Sequence, residues 1–252
     1  MKPRHIVLSF MNIDIKKILA MVICGALLSL SAENIEVTAK GIPGKTLVSV
    51  SESWLGGVLQ ETPDLVIMLY GTNDACNSRV LSSPEEFVAK LKTVISTICS
   101  KSKLVVVTIP PCNESCLFRR HNASAYGTMP PNERIRKFNA IIEKTANENK
   151  IPVADFYSVA MKQGCEGKQS YLRLPENSGD ADGIHLTDEG YAALAKTVFE
   201  ALRKAGFLPK KVLCIGDSIT YGIGTKTAGT VTGNTYPAIL KRLLDNTENA
   251  EK

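Results

Sequence analysis

The chain has 252 residues, 44% of them apolar and 22% charged, with a mean hydropathy of +0.00. That balance excludes a disordered, collagen-like or multi-span membrane chain, and the length supplies one large core or two small ones. Of the net charge of +5, a surplus of three falls in residues 1–32 (Lys2, Arg4, Lys16 and Lys17 against Asp14), so the remaining +2 gives no reason to expect a nucleic-acid partner.

The basic start precedes an apolar run from Ile18 to Leu30, then Ser31-Ala32 and the polar Glu33-Asn34. A helix needs about 20 residues to cross a bilayer, so this run is too short to span one. A basic segment, a short apolar stretch and small residues read instead as an export leader, against the alternatives of a retained anchor or a buried helix. Residues 1–32 are therefore expected to be a signal peptide, with Met11 as an alternative start. Residues 33–252 are expected to form a single domain, secreted, periplasmic or at the cell surface, with no stable membrane insertion after cleavage.

Beyond the leader, apolar runs alternate with helical patterns. Strands are predicted at 34–39, 64–70, 103–109, 151–156 and 211–216; several are continuous aliphatic runs, as in a parallel sheet buried on both faces. A helix starts at Ser83-Pro84-Glu85-Glu86, with a capping serine, a proline at the first position and a capping-box glutamate. Its apolar face is Phe87, Leu91, Val94, Ile95 and Ile98. A second follows Pro130-Pro131, and a third follows Thr187 with Asp188 and Glu189 in its first turn. The last runs from about Tyr236 through Leu244. Five strands with intervening helices predict a three-layer α/β/α sandwich on a five-stranded parallel sheet. Trp54, the only tryptophan, stands at i,i+4 from Val58 and reads as packing rather than as a sugar platform.

Six cysteines follow the leader, an even number compatible with disulfides in an exported chain. Cys112 and Cys116 are the best bridge candidates, while Cys214 reads as a buried thiol. A metal site there is the weaker reading, because His121 is the only nearby histidine and no second cysteine pair has ligand spacing.

Doubly wound sheets bind ligands beyond the C-terminal ends of their strands. The fifth run ends in Gly216-Asp217-Ser218-Ile219-Thr220, which exposes a serine at a strand-to-loop turn. Such a hydroxyl needs a base to become a nucleophile. His185 lies in Asp182-Gly183-Ile184-His185-Leu186-Thr187, where Asp182 can hold the far imidazole nitrogen. Alone, that spacing reads as an Asp-capped turn. Two further strand ends add weight: Gly41-Ile42-Pro43-Gly44-Lys45-Thr46 and Gly71-Thr72-Asn73-Asp74. A glycine N–H, an asparagine amide and the N–H of Ser218 are the donors that an oxyanion hole needs. Gly44-Lys45-Thr46 fails as a phosphate loop, because Ala39 replaces a required glycine and Pro43 lacks an N–H. Asp74 and Asp217 read as hydrogen-bonding acceptors that hold their loops.

Together these four segments resemble the sequence blocks of the SGNH (GDSL-type) esterase/lipase family, over most of residues 34–245. The resemblance implies the family's flavodoxin-like fold, Ser218 as nucleophile, His185 as base and Asp182 as its orienting acid. It also implies an oxyanion hole of Ser218, Gly44 and Asn73, with no cofactor and no metal. The order departs from the family, in which the GDS block comes first; here it comes last, as a circular permutation would leave it, the alternative being fused fragments or a faulty gene model. The family acts on carboxylic esters through an acyl-enzyme. The non-periodic stretch 110–131 is expected to edge the pocket, with Arg119, Arg120, His121, Asn122 and Tyr126 suited to a polar or anionic substrate and Arg119, Arg120 and Tyr126 as the candidate contacts, beside the alternative of a solvated loop. The absence of a long apolar lid favours short-acyl esters such as O-acetylated carbohydrates. A lipase or thioesterase, or a silent glycan-binding domain of the same fold, stays open, as does the oligomeric state.

Overall fold

The computed structural model describes residues 35–250, with side chains through residue 247. The expected signal peptide lies outside the described residues. All described elements belong to one unit, Asn34–Lys252.

Five strands, β1 (Glu36–Gly41), β2 (Leu65–Leu69), β3 (Lys103–Val107), β4 (Val153–Ala154) and β5 (Lys211–Gly216), form one sheet. Every pairing is parallel and the order across the sheet is β1-β5-β2-β3-β4. The last strand in sequence is thus an interior one, flanked by β1 and β2, and its residues from Val212 onward are buried. Among the described residues, six longer helices cover the sheet: α1 (Glu52–Leu59), α2 (Pro84–Cys99), α3 (Pro131–Glu148), α4 (Phe156–Gln163), α5 (Asp188–Lys204) and α6 (Tyr236–Ala250).

Strand alternation divides the apolar residues between two cores. Val66, Met68, Leu104, Val106, Leu213 and Ile215 pack with residues of α1, α2 and α3 on one face. Leu65, Ile67, Leu69, Val105, Val212 and Cys214 pack with α4, α5 and α6 on the other. Consecutive residues of a strand point to opposite faces, so a run apolar at every position fits only a sheet covered twice. The result is the expected three-layer α/β/α arrangement.

Local chemistry accounts for the helix boundaries. Ser83 Oγ accepts from the Glu86 N–H (3.1 Å), and Glu86 Oε2 accepts from the Ser83 N–H (2.9 Å), a closed capping box ahead of α2. Thr187 caps α5 through the Gly190 N–H. Expected strand 151–156 shrinks to two paired residues because Asp155 accepts from the Ser158 N–H (3.0 Å) and turns the chain into α4 at Phe156. Trp54 packs, partly buried, against the first core.

The expected Cys112–Cys116 bridge is corrected: all six cysteines among the described residues are free. Cys112 belongs to the core under α1–α3 and Cys116 to the core on the opposite face, so their side chains diverge. The Cys112 thiol instead lies against that of Cys76.

Candidate active site

The C-terminal ends of β1, β5 and β2 adjoin, and each leads into one of the singled-out segments. The Ile42 N–H donates to the Gly216 carbonyl (2.9 Å), continuing the ladder past β1 and fastening the glycine loop to the start of the serine turn. Ser218 opens a one-turn helix, Ser218–Tyr221, capped by Asp217, whose Oδ1 accepts from the Ile219 N–H (2.9 Å). This turn folds back so tightly that a Cβ at position 216 would run into the Thr220 side chain and the Leu69 carbonyl. Only glycine fits there.

His185 is delivered from the other side of the sheet's upper edge. The loop before α5 is tied down by an isolated bridge between Leu172 and Leu186 and by reciprocal Arg173 N–H to His185 carbonyl (2.8 Å) and Gly183 N–H to Arg173 carbonyl (2.9 Å) bonds. Gly183, at φ 76°, lies against the Asn113 carbonyl and Cys116, where a side chain has no room. His185 Nε2 stands 2.9 Å from Ser218 Oγ, and its Nδ1 stands 2.8 Å from Asp182 Oδ2. Asp182 Oδ1 accepts from the N–H groups of Ile184 (2.9 Å) and His185 (2.8 Å). Burial works to raise the Asp182 pKa, but the hydrogen bond and charge of His185 outweigh it and hold the carboxyl well below the usual carboxylate range. Asp182 is therefore ionised at neutral pH.

Across from this relay lie the expected donors. The N–H groups of Gly44 and Ser218 donate to no acceptor among the described residues. Asn73 sits in the one-turn helix Thr72–Cys76 after β2; its amide donates to the Lys45 carbonyl (3.1 Å), which leaves its second N–H free of that bond. Gly44, Asn73, His185 and Ser218 line one cleft of about 250 Å³.

Beneath the cleft, Asp74 clamps the glycine loop: its carboxylate accepts from the N–H groups of Leu47 (2.8 Å) and Val48 (3.3 Å) and from the Ser82 hydroxyl (2.8 Å). Burial nevertheless raises its pKa. Asp217 is fully buried, and its pKa is pushed up to about 6 by that burial. Its Oδ2 has no full hydrogen bond, although the Thr72 hydroxyl lies beside it. The loop-holding role expected for both aspartates is what the structure displays.

Of the candidate substrate contacts in 110–131, Arg120 reaches the cleft and donates to the Asp182 carbonyl (2.8 Å). Arg119 is exposed and does not line it; Tyr126 is buried, with its hydroxyl donating to the Cys76 carbonyl. Leu117 and His121 from the same stretch do line the cleft. Three contributors escaped the sequence reading. Arg134, on α3, fastens the Asn73 turn through the carbonyls of Asp74 (3.2 Å), Ala75 (3.0 Å) and Ser82 (2.6 Å). Arg79 and Asn77 line the cleft beside Asn73. None belongs to a block, and only contacts distant in sequence reveal them.

Fold and site together define an α/β domain that carries a serine–histidine–aspartate relay at the ends of parallel strands. The GDSL-like Lipase/Acylhydrolase family model matches residues 22–193, more than half of the chain, and the chain belongs to that family. Among curated relatives, it is 24% identical over 178 residues to a multidomain esterase of Ruminococcus flavefaciens, covering 64% of this chain and 20% of that one. It is 22% identical over 155 residues to the GDSL esterase/lipase WDL1 of Oryza sativa subsp. japonica, covering 58% and 56%. The chain therefore spans only a fifth and just over half of these relatives. Among solved structures, a lipase/acylhydrolase from Enterococcus faecalis has a TM-score of 0.50 at 23% identity, covering 66% of this chain and 74% of that one. The acetylxylan esterase Axe2 from Geobacillus stearothermophilus has a TM-score of 0.51 at 18% identity, covering 67% and 71%. At these identities the likeness shows the fold.

Proposed function

We propose that the protein is a serine esterase that hydrolyses short-acyl carboxylic esters, such as acetyl groups on carbohydrates, through an acyl-enzyme. The observation that carries this reading is the unbroken Asp182–His185–Ser218 relay facing the unused N–H groups of Gly44 and Ser218. His185 Nε2 takes the proton as Ser218 Oγ attacks the ester carbonyl, and Asp182 steadies the imidazolium. The carbonyl oxygen, now an oxyanion, receives the N–H groups of Gly44 and Ser218 and the Asn73 amide. His185 then protonates the departing alcohol. A water repeats the cycle on the acyl-Ser218 ester and releases the acid.

The small cleft supports a short acyl group: about 250 Å³ falls below the span of drug-sized pockets, and no long apolar segment among the described residues lines it. The leader-like start of the sequence supports export. Circular permutation of one domain is supported by the sheet order. If β5 is counted first and β1 second, the order becomes 2-1-3-4-5, that of flavodoxin-like sheets. The family match also ends at residue 193, ahead of the serine turn.

A fluorophosphonate probe tests the reading. Covalent labelling of Ser218, located by mass spectrometry and abolished in Ser218→Ala, is expected, together with a loss on the order of 10⁶ in kcat on 4-nitrophenyl acetate. Undiminished turnover by Ser218→Ala overturns the assignment, and an unlabelled wild type points to a binding domain.

A further inference from the structure

The cleft is electrically one-sided. Among the described residues its lining contains no aspartate or glutamate, yet it includes two guanidinium groups, Arg79 and Arg120, and the ring of His121. By contrast, the larger groove nearby sets Lys168, Arg173 and Lys226 against Glu176, Asp188 and Glu189.

These three basic side chains differ in how far the protein already satisfies them. Arg120 donates to the Asp182 carbonyl (2.8 Å) and more distantly to its carboxylate (3.3 Å). The Arg79 side chain makes no hydrogen bond or ion pair among the described residues. Burial, followed by the charges of Arg120 and Arg79, lowers the His121 pKa, so its ring is neutral at pH 7. Its Nδ1 accepts from the Ser78 N–H (3.3 Å), which leaves Nε2–H as a donor. Arg79 is exposed at the mouth of the cleft, where its guanidinium is open to solvent and to an incoming ligand. Among the described residues, Asp182 pairs with Arg120 through Oδ1 (3.3 Å) and with His185 through Oδ2 (2.8 Å), and no carboxylate pairs with Arg79.

We propose that the cleft selects esters carrying a carboxylate on either the acyl or the alcohol part, and that Arg79 is the group that receives it, with Arg120 and His121 Nε2–H beside it. A guanidinium is a weakly hydrated fork whose geometry matches a carboxylate, which suits it to recognition in a small cleft. The inference rests on Ser218 being the nucleophile of this same cleft; it adds the charge of the substrate.

Two matched pairs of esters test it. The first pair is 4-acetoxybenzoate against 4-acetoxybenzamide, with the anion on the leaving alcohol. The second is monophenyl succinate against phenyl butyrate, with the anion on the acyl group. For one pair, the anionic-to-neutral ratio of kcat/KM is expected to fall about tenfold in Arg79→Gln, to recover in Arg79→Lys and to shrink with added salt. Which pair responds tells which side of the ester carries the charge. Ratios in both pairs that are unchanged by Arg79→Gln overturn the inference while leaving the esterase reading intact. If no ester is turned over, the esterase reading fails and calorimetry still decides the inference. Binding of 4-hydroxybenzoate or succinate that is lost in Arg79→Gln supports it, and binding indifferent to that change, or absent from the wild type, overturns it.

Discussion

The two sides of the Ser218 turn carry aspartates whose acidities are driven in opposite directions. On the rim, Asp182 is partly buried, but His185 and two backbone N–H groups supply it with donors, and it stays ionised. On the floor, Asp217 is wholly buried with one full donor, the Ile219 N–H, and its pKa rises to about 6. Asp74 beside it has three donors and is still raised by burial. The balance of donors against desolvation, rather than residue type, decides which carboxyl is held below its ordinary pKa and which is pushed above it. The rim orients the imidazole; the floor holds the oxyanion donors in place.

The largest effect that separates the two sides is expected on the rim. Asp182→Asn keeps the shape but lets the amide stabilise the wrong imidazole tautomer, and kcat should fall by about 10⁴. Steady-state kinetics at neutral pH measure it; a fall of only a few-fold would remove Asp182 from the relay. Asn73→Ala tests the donors that the floor supports. A loss on the order of 10²–10³ in kcat with little change in KM is expected, because the interaction strengthens only as charge develops on the oxygen.

The smallest effect is on stability, and its sign differs between the two sides. Asp182 has a lowered pKa, so its contribution is present above about pH 4, the unfolded-state value, and is lost as pH falls. Asp217 has a raised pKa, so the native state holds the proton more tightly than the unfolded chain does. Its contribution is present below about pH 4 and is lost as pH rises towards 6, by about 3 kcal/mol. Urea unfolding at pH 4.5 and 7.5 should therefore show a pH slope that Asp217→Asn flattens and Asp182→Asn does not. A slope unchanged in Asp217→Asn would mean that its carboxyl is ionised throughout.

Local patterning carried most of the fold. The aliphatic runs 64–70, 103–109 and 211–216 are legible because a strand buried on both faces must be apolar at every position. The α2 start is legible because its cap is a three-residue chemical device. Helix α1 was less so, since Gly56-Gly57 weaken the helical pattern between Leu55 and Val58. Strand β4 was overextended because the same apolar residues serve a strand or a helix until Asp155 caps the turn. The relay was legible because its residue types and spacing are chemically demanding. Arg134 and the unpaired Arg79 were not, because their roles depend on which backbone groups or empty spaces lie nearby.

The sequence by itself determined the strand segments, the two-faced burial and the four blocks with their reactive residues, since these depend on near neighbours and residue chemistry. Only the tertiary structure decided that the last strand inserts between the first two, placing Ser218 within 2.9 Å of a histidine 33 residues away. It also decided that Cys112 and Cys116 diverge, and that the acidity of one aspartate is strengthened while that of another is weakened. Strand order, burial and the count of donors around a group arise when distant segments pack, and no local spacing records them.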